Sequence, residues 1–299
     1  MADVYVLGAG AVGLSFAHHL SSKHNVTILS RNRKKTDFYY QEQTTKKPIK
    51  ASIVNVTELP SSSKKPIKNC FICVKSYQLD DAFKAVQPSL HNEANIFLSH
   101  NGIIELTDIL SKLTSKQRLF FMSTSRGAFK PGLDLVVQTG FGDTYLGACN
   151  DEASVHINCV FESLLANTIK PSSIHNNMTL LRWQKLMVNI AINPLTAINQ
   201  ITNGELLKPK YAFEVMNLLN EACRVASEFG IEISLKDALD NAYTVMRQTY
   251  KNHSSMAQDV KQQRKTEIEA ICGYIVNEAN KLNINVPFNK ALLEKINQL

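Results

Sequence analysis

The sequence predicts an α/β amino-terminal domain built on a mostly parallel sheet, followed by an all-α carboxy-terminal domain. Three observations predict it. The chain opens on a strand, a run of glycines, a helix and a second strand. Apolar β-prone runs then recur through the first half, with helix-compatible segments between several of them. After about residue 176 these runs give way to long helix-prone segments without a convincing strand. A chain of 299 residues also exceeds the size at which one hydrophobic core usually stops growing, which favours two domains.

In chain order, residues 3–7 are apolar and β-prone, 14–20 carry apolar residues at helical spacing, and 25–29 return to strand character. Together they make one βαβ unit. Further strands are expected at residues 70–74, 94–98, 119–122 and 133–138, and helices at 178–199, 211–229, 235–250 and 256–282. Residues 169–177, with Pro171 among small polar residues, form the expected hinge, so the domains are set at 1–176 and 177–299.

The amino-terminal run Val4-Tyr-Val-Leu-Gly8-Ala-Gly10-Ala-Val-Gly13 carries the first candidate site. Three glycines at this spacing often mark only a turn, but these follow a strand and open a helix. Gly8 suits the tight turn, Gly10 lets backbone approach a pyrophosphate, and Gly13 lets the helix pack on the strand. Gly8, Ala9, Gly10, Ala11, Val12 and Gly13 are thus expected to hold the phosphates of a dinucleotide in a Rossmann-type domain. An NAD site wants a carboxylate at the end of the second strand, and residues 26–35 contain no Asp or Glu. Ser30-Arg31 ends the strand instead, and a guanidinium there grips a 2′-phosphate with paired hydrogen bonds. NADPH is the expected cofactor, Arg31 its main discriminator, and Lys75, after a later strand, a further charge for the same pocket. Arg33, Lys34 and Lys35 read more simply as solvated surface.

Other function classes find less support. The net charge of +7 is not organised into a nucleic-acid motif, and no apolar run approaches the roughly 20 residues of a membrane span. The first residues lack a basic leader, and Gly8 and Gly10 interrupt the apolar run before a secretory signal forms. A cytoplasmic protein without nucleic-acid or membrane partners is the expectation, as a monomer or homodimer. Of six cysteines only Cys70 and Cys73 have C-x-x-C spacing. They fall in an expected buried strand, where residues three apart point to opposite faces, so neither a metal site nor a redox pair is expected.

In the helical half, Lys185, Asn189 and Asn193 recur every fourth residue and share one helix face, while Trp183, Leu186 or Met187, and Ile190 make a separate apolar stripe. A solvated face would normally mix acids and bases. Two asparagines in successive turns cost roughly half a kcal/mol each relative to alanine, which points to a ligand.

On these residues the chain resembles the ketopantoate reductase family across nearly its whole length. The resemblance rests on the glycine motif, Asn101-Gly102 after a strand, the Lys185/Asn189/Asn193 helix with its Pro-Leu-Thr-Ala continuation, Ser255-Met-Ala-Gln-Asp-Val, and Arg264-Lys-Thr-Glu267-Ile. It implies reduction of 2-dehydropantoate to (R)-pantoate with NADPH, on the route to pantothenate and coenzyme A. It also implies a helical domain like the carboxy-terminal domain of 6-phosphogluconate dehydrogenase. Carried over by position, Lys185 is the general acid and Glu267 hydrogen-bonds the substrate hydroxyl, orients the lysine and adjoins the cofactor. Asn189, Asn193 and Asn203 are substrate-binding amides, and Ser255 binds the carboxylate. Asn101 touches both nicotinamide ribose and substrate, and Ala128 lends backbone to the cofactor. The chain departs from the family at Ile103-Ile104, where a small residue is frequent, and at Arg126, where histidine is common.

Ser255 and Glu267 stand twelve residues apart, roughly 18 Å along a straight helix, too far for one small keto acid. Ser255–Gln258 and Thr266–Glu269 each read as a capping box, which predicts a helix break near Lys265 with Glu267 in the first turn of a new helix. Two other readings stay open at this point: a related β-hydroxyacid, glycerol-phosphate or other 2-keto acid dehydrogenase, and a non-catalytic NADPH sensor.

Overall fold

The computed structural model describes residues 1–31, 37–59 and 65–299, so Arg33, Lys34 and Lys35 lie outside the described residues. It divides into two compact units: Met1–His100 with Glu105–Met178, and Asn101–Ile104 with Thr179–Leu299.

The first unit runs β1 (Asp3–Leu7), α1 (Ala11–Leu20), β2 (Asn25–Ser30), β3 (Tyr39–Glu42), β4 (Thr45–Pro48), β5 (Ala51–Asn55), β6 (Ile67–Ile72), α2 (Leu79–Val86), β7 (Leu90–Leu98), α3 (Thr107–Leu110), β8 (Arg118–Thr124), β9 (Gly127–Phe129), β10 (Leu135–Gly140), β11 (Thr144–Ala148), α4 (Asp151–Val160) and β12 (Ser172–Ile174). Strands β5-β2-β1-β6-β7-β8 lie side by side and all parallel, the 3-2-1-4-5-6 order of a Rossmann sheet. The sheet then adds β11, antiparallel to β8, and β12 beside it. The apolar runs 70–72, 96–98 and 119–122 are buried, the pattern of parallel strands covered on both faces. Phe71, Phe97 and Phe120 sit in register across three of these strands and stack at centroid distances of 4.2 and 5.2 Å.

One expectation needs correction here. The run at 133–138 does form a strand, β10, but it belongs to a separate four-stranded sheet in the order β4-β3-β10-β9. The expected hinge contains β12, which pairs with β11 through Tyr145 and Ser173. Small polar residues and a proline suit the last strand of a sheet, where the chain is not packed on both sides. Cys70 lies within β6 and Cys73 just beyond it; both thiols are buried, and burial pushes that of Cys70 up to about 12 and that of Cys73 higher still, so both stay protonated.

The second unit holds α5 (Met178–Asn199, apart from its first residue), α6 (Ala212–Glu228), α7 (Leu235–Gln248), α8 (Ser255–Lys261), α9 (Tyr274–Lys281) and α10 (Pro287–Asn297). The expected stripe of Trp183, Leu186, Met187 and Ile190 is buried in its core with Leu218, Ala222 and Ile275. Val286 precedes α10 and has no side-chain acceptor for the first N–H groups of that helix. The buried Glu221 of α6 takes that place: its oxygens accept from the backbone N–H groups of Phe288 and Asn289, both at 2.9 Å, and from Asn289 Nδ2 at 2.8 Å. Replacing Glu221 with alanine strands three donors, two of them on the buried Asn289, and denaturant titration is expected to show a loss of about 3 kcal/mol. Among the described residues no helix is long and apolar enough to cross a membrane.

Candidate active site

In the first unit the three glycines have distinct physical reasons. Gly8 has φ +113°, and a Cβ there would lie 2.2 Å from the Cys73 carbonyl oxygen, so the turn after β1 admits only glycine. A Cβ on Gly13 would lie 2.0 Å from the Gly8 carbonyl oxygen, which is the close approach of helix to loop. Among the described residues a Cβ on Gly10 would meet no atom within 4 Å, so none of them demands glycine there. Open space beside that residue, at the N-terminus of a ten-residue helix without acidic residues in its first turn, fits a diphosphate. Arg31 is exposed directly after β2, and Lys75 follows β6, the strand beside β1. Ala128 lies in β9 of the smaller sheet, opposite Gln138. Arg126 is tied down locally, its guanidinium donating to the Lys170 carbonyl and meeting His19 Nε2 at 3.1 Å.

In the second unit the chain is not helical throughout 256–280. Helix α8 stops at Lys261, Gln263 takes φ +52°, and helical backbone resumes only at Ile268, followed by a π-helical turn at Glu269–Gly273. Arg264 stabilises this break by donating from Nε and Nη2 to Oδ1 of the buried Asp259, at 3.1 and 2.9 Å. The break falls near Lys265, where the capping pattern puts it, but Glu267 lies in the bend just before the new helix and not in its first turn, and Thr266 Oγ1 accepts from Ile268 N at 3.3 Å. The reading of Ser255 as a cap is corrected: Ser254 is the N-cap of α8, accepting from Ala257 N at 3.0 Å, and Ser255 is exposed in the first turn. Ser254 holds that position because its Oγ also meets Thr196 Oγ1 of α5 at 2.7 Å.

The π-helical turn explains Asn101-Gly102. It leaves the Ala270 carbonyl to accept from Ile103 N at 2.9 Å, and at Gly102, with φ +75°, a Cβ would lie 2.2 Å from that oxygen. Residues 101–104 thus join the helical unit, and Ile103 is buried in its core, which accounts for an apolar residue at one of the two family departures. Glu267, 4% exposed, accepts from Asn101 N at 3.3 Å and from Asn101 Nδ2 at 3.0 Å.

Lys185 is half-buried on α5. Burial lowers its pKa to about 8; the negative charge of Glu267 works against that shift and the positive charge of Arg182 adds to it. Asn193, two turns along the same face, is buried. Among the described residues, the buried Asn189 Nδ2 has no hydrogen-bond partner, nor has Oδ1 of Asn203, whose Nδ2 donates to Thr249 Oγ1 at 2.9 Å. An orphaned donor and an orphaned acceptor are rare in a folded interior and common where a polar ligand completes the bonding. An ammonium, a carboxylate and these amides therefore belong to one helical unit. Arg182 is the member whose influence on Lys185 sequence reasoning missed, although its spacing of three residues from Lys185 was visible.

A family model described as "Ketopantoate reductase PanE/ApbA" matches residues 4–151, and one described as "Ketopantoate reductase PanE/ApbA C terminal" matches residues 177–299. The chain belongs to the ketopantoate reductase family. It is 34% identical over 299 residues to the 2-dehydropantoate 2-reductase of Vibrio cholerae serotype O1, covering 99% of this chain and 97% of the relative. A crystal structure of a probable 2-dehydropantoate 2-reductase from Bacillus subtilis is 26% identical, with TM-score 0.80 and 99% of each chain covered. The fold is shared with D-mandelate dehydrogenase in its ternary structure with NADH and anilino(oxo)acetate, at TM-score 0.91, 22% identity, and coverage of 100% of this chain and 97% of that one.

Proposed function

We propose that this ketopantoate reductase family member reduces 2-dehydropantoate to (R)-pantoate with NADPH. The observation that carries the reading is the partnerless buried amide atoms of Asn189 and Asn203 in the unit that holds Lys185 and Glu267; burial, which lowers the Lys185 pKa to about 8, suits that lysine to giving up a proton near neutrality. When bound, the cofactor supplies a hydride to the C2 ketone carbon. Negative charge gathers on the ketone oxygen; the Lys185 ammonium stabilises it and then protonates it, recovering its proton from solvent. Glu267 holds that ammonium in its charged form and takes the substrate hydroxyl as a hydrogen-bond partner. Asn189, Asn193 and Asn203 bind the polar groups of the substrate, Ser255 its carboxylate, and Asn101 bridges substrate and ribose. Gly8–Gly13, Lys75 and Ala128 hold the dinucleotide.

The sign of the pH dependence follows from the role of Lys185. A general acid works while protonated, so kcat/KM for ketone reduction is expected to be level below about pH 7 and to fall through a midpoint near 8. Rates of NADPH oxidation across pH 6–10 test this; a rate that rises through pH 8 would remove Lys185 as the acid.

Arg31 gives the reading its cofactor. Arg31→Ala is expected to raise the Kd for NADPH about 30-fold while changing that for NADH less than threefold, because only the 2′-phosphate loses its partner. Equal losses for both cofactors would take the discrimination away from Arg31.

A further inference from the structure

Lys130 stands just beyond β9, two residues after Ala128. Its Nζ donates to the Ala9 carbonyl oxygen at 2.8 Å and lies 5.4 Å from the centre of the Phe38 ring. Ala9 sits between Gly8 and Gly10, so the bond fastens the side chain to the glycine loop itself. A lysine that serves only solubility extends into water; this one is half-buried and satisfies a main-chain oxygen. The result is a full positive charge held beside the first N–H groups of α1, which carry the partial positive charge of the helix. The same first turn contains no acidic residue to neutralise it.

We propose that Lys130 is a phosphate-binding cation of the dinucleotide site, acting on the diphosphate that NADPH and NADH have in common. It rests on the dinucleotide reading given above and assigns Lys130 a task separate from that of Arg31. Arg31 distinguishes the two cofactors. Lys130 attracts both, and through Ala9 it also keeps the loop in the shape that presents its N–H groups.

The test measures the Kd of NADPH and of NADH for the full chain and for Lys130→Met, Lys130→Gln and Lys130→Arg, by fluorescence of the bound dihydronicotinamide. Glutamine keeps an N–H for the Ala9 carbonyl but no charge. Glutamine is expected to weaken NADPH and NADH alike, about tenfold, and methionine at least as much, while arginine stays within about threefold. The affinity of the parent is also expected to fall more steeply with salt than that of the methionine variant. Parent-like affinity in Lys130→Gln would overturn the proposal, leaving only a fastener for the loop. So would a loss confined to NADPH, which would put the lysine at the 2′-phosphate, or an equal loss in all three variants accompanied by lower melting temperatures. If the methionine variant does not fold, the glutamine and arginine variants decide. A parent chain that binds neither dinucleotide refutes the cofactor reading first, and this proposal with it.

Discussion

Replacing Lys185 with alanine is expected to lower kcat about 10⁴-fold while leaving the Kd for NADPH within about twofold. In the proposed mechanism two contributions disappear together, the charge that stabilises the ketone oxygen and the proton that completes the reduction. Stability is not the cause of the loss, and the direction of the lysine's own effect makes that testable. Its pKa in the folded chain is about 8 against an ordinary 10.5, so folding disfavours the ammonium at neutral pH. That penalty fades as pH rises from about 8 to 10.5, where the lysine is neutral in both states. Lys185→Met, which removes the charge and keeps the stem, is therefore expected to melt no lower than the parent at pH 7 and to be as inactive as the alanine variant. A destabilised methionine variant would mean that the ammonium is a structural partner instead.

Glu267→Gln is expected to reduce kcat/KM about 300-fold at pH 7.5, the next largest effect. The carboxylate does two things that an amide does not. Its charge opposes the burial that pulls Lys185 down to about 8, and both its oxygens accept from Asn101. Without the charge the Lys185 midpoint moves to lower pH, so part of the lost rate is expected to return on acidification. An unmoved midpoint in the pH profile of the variant would show that Glu267 does not act through Lys185.

How far the sequence reveals this arrangement depends on how local each feature is. The glycine loop and β6, β7 and β8 are legible because sharp turns and doubly buried strands leave dense local patterns. The smaller sheet is not. Thr45–Pro48 is exposed along its whole length and has no apolar side to alternate with a polar one, and a run such as 133–138 reads as a strand without saying which sheet it joins. Adjacent serines at 254 and 255 offer two capping registers, and the choice is made by Thr196, 58 residues away. At the site, Lys185, Asn189 and Asn193 stand out by helical spacing alone. The union of Asn101 with Glu267 spans 166 residues and turns on a glycine meeting a π-helical carbonyl; no local pattern encodes it, and only family resemblance draws the two together.

The most direct measurement is NADPH oxidation by the purified full chain on addition of 2-dehydropantoate, set against a panel of other branched and aromatic 2-keto acids. Turnover of 2-dehydropantoate is expected with a kcat/KM at least about 100-fold above every other acid, since on the proposed reading an analogue that lacks its hydroxyl leaves the buried Glu267 carboxylate without that partner. Equal turnover of the whole panel would contradict the substrate assignment, and no turnover of any member would contradict the reductase itself.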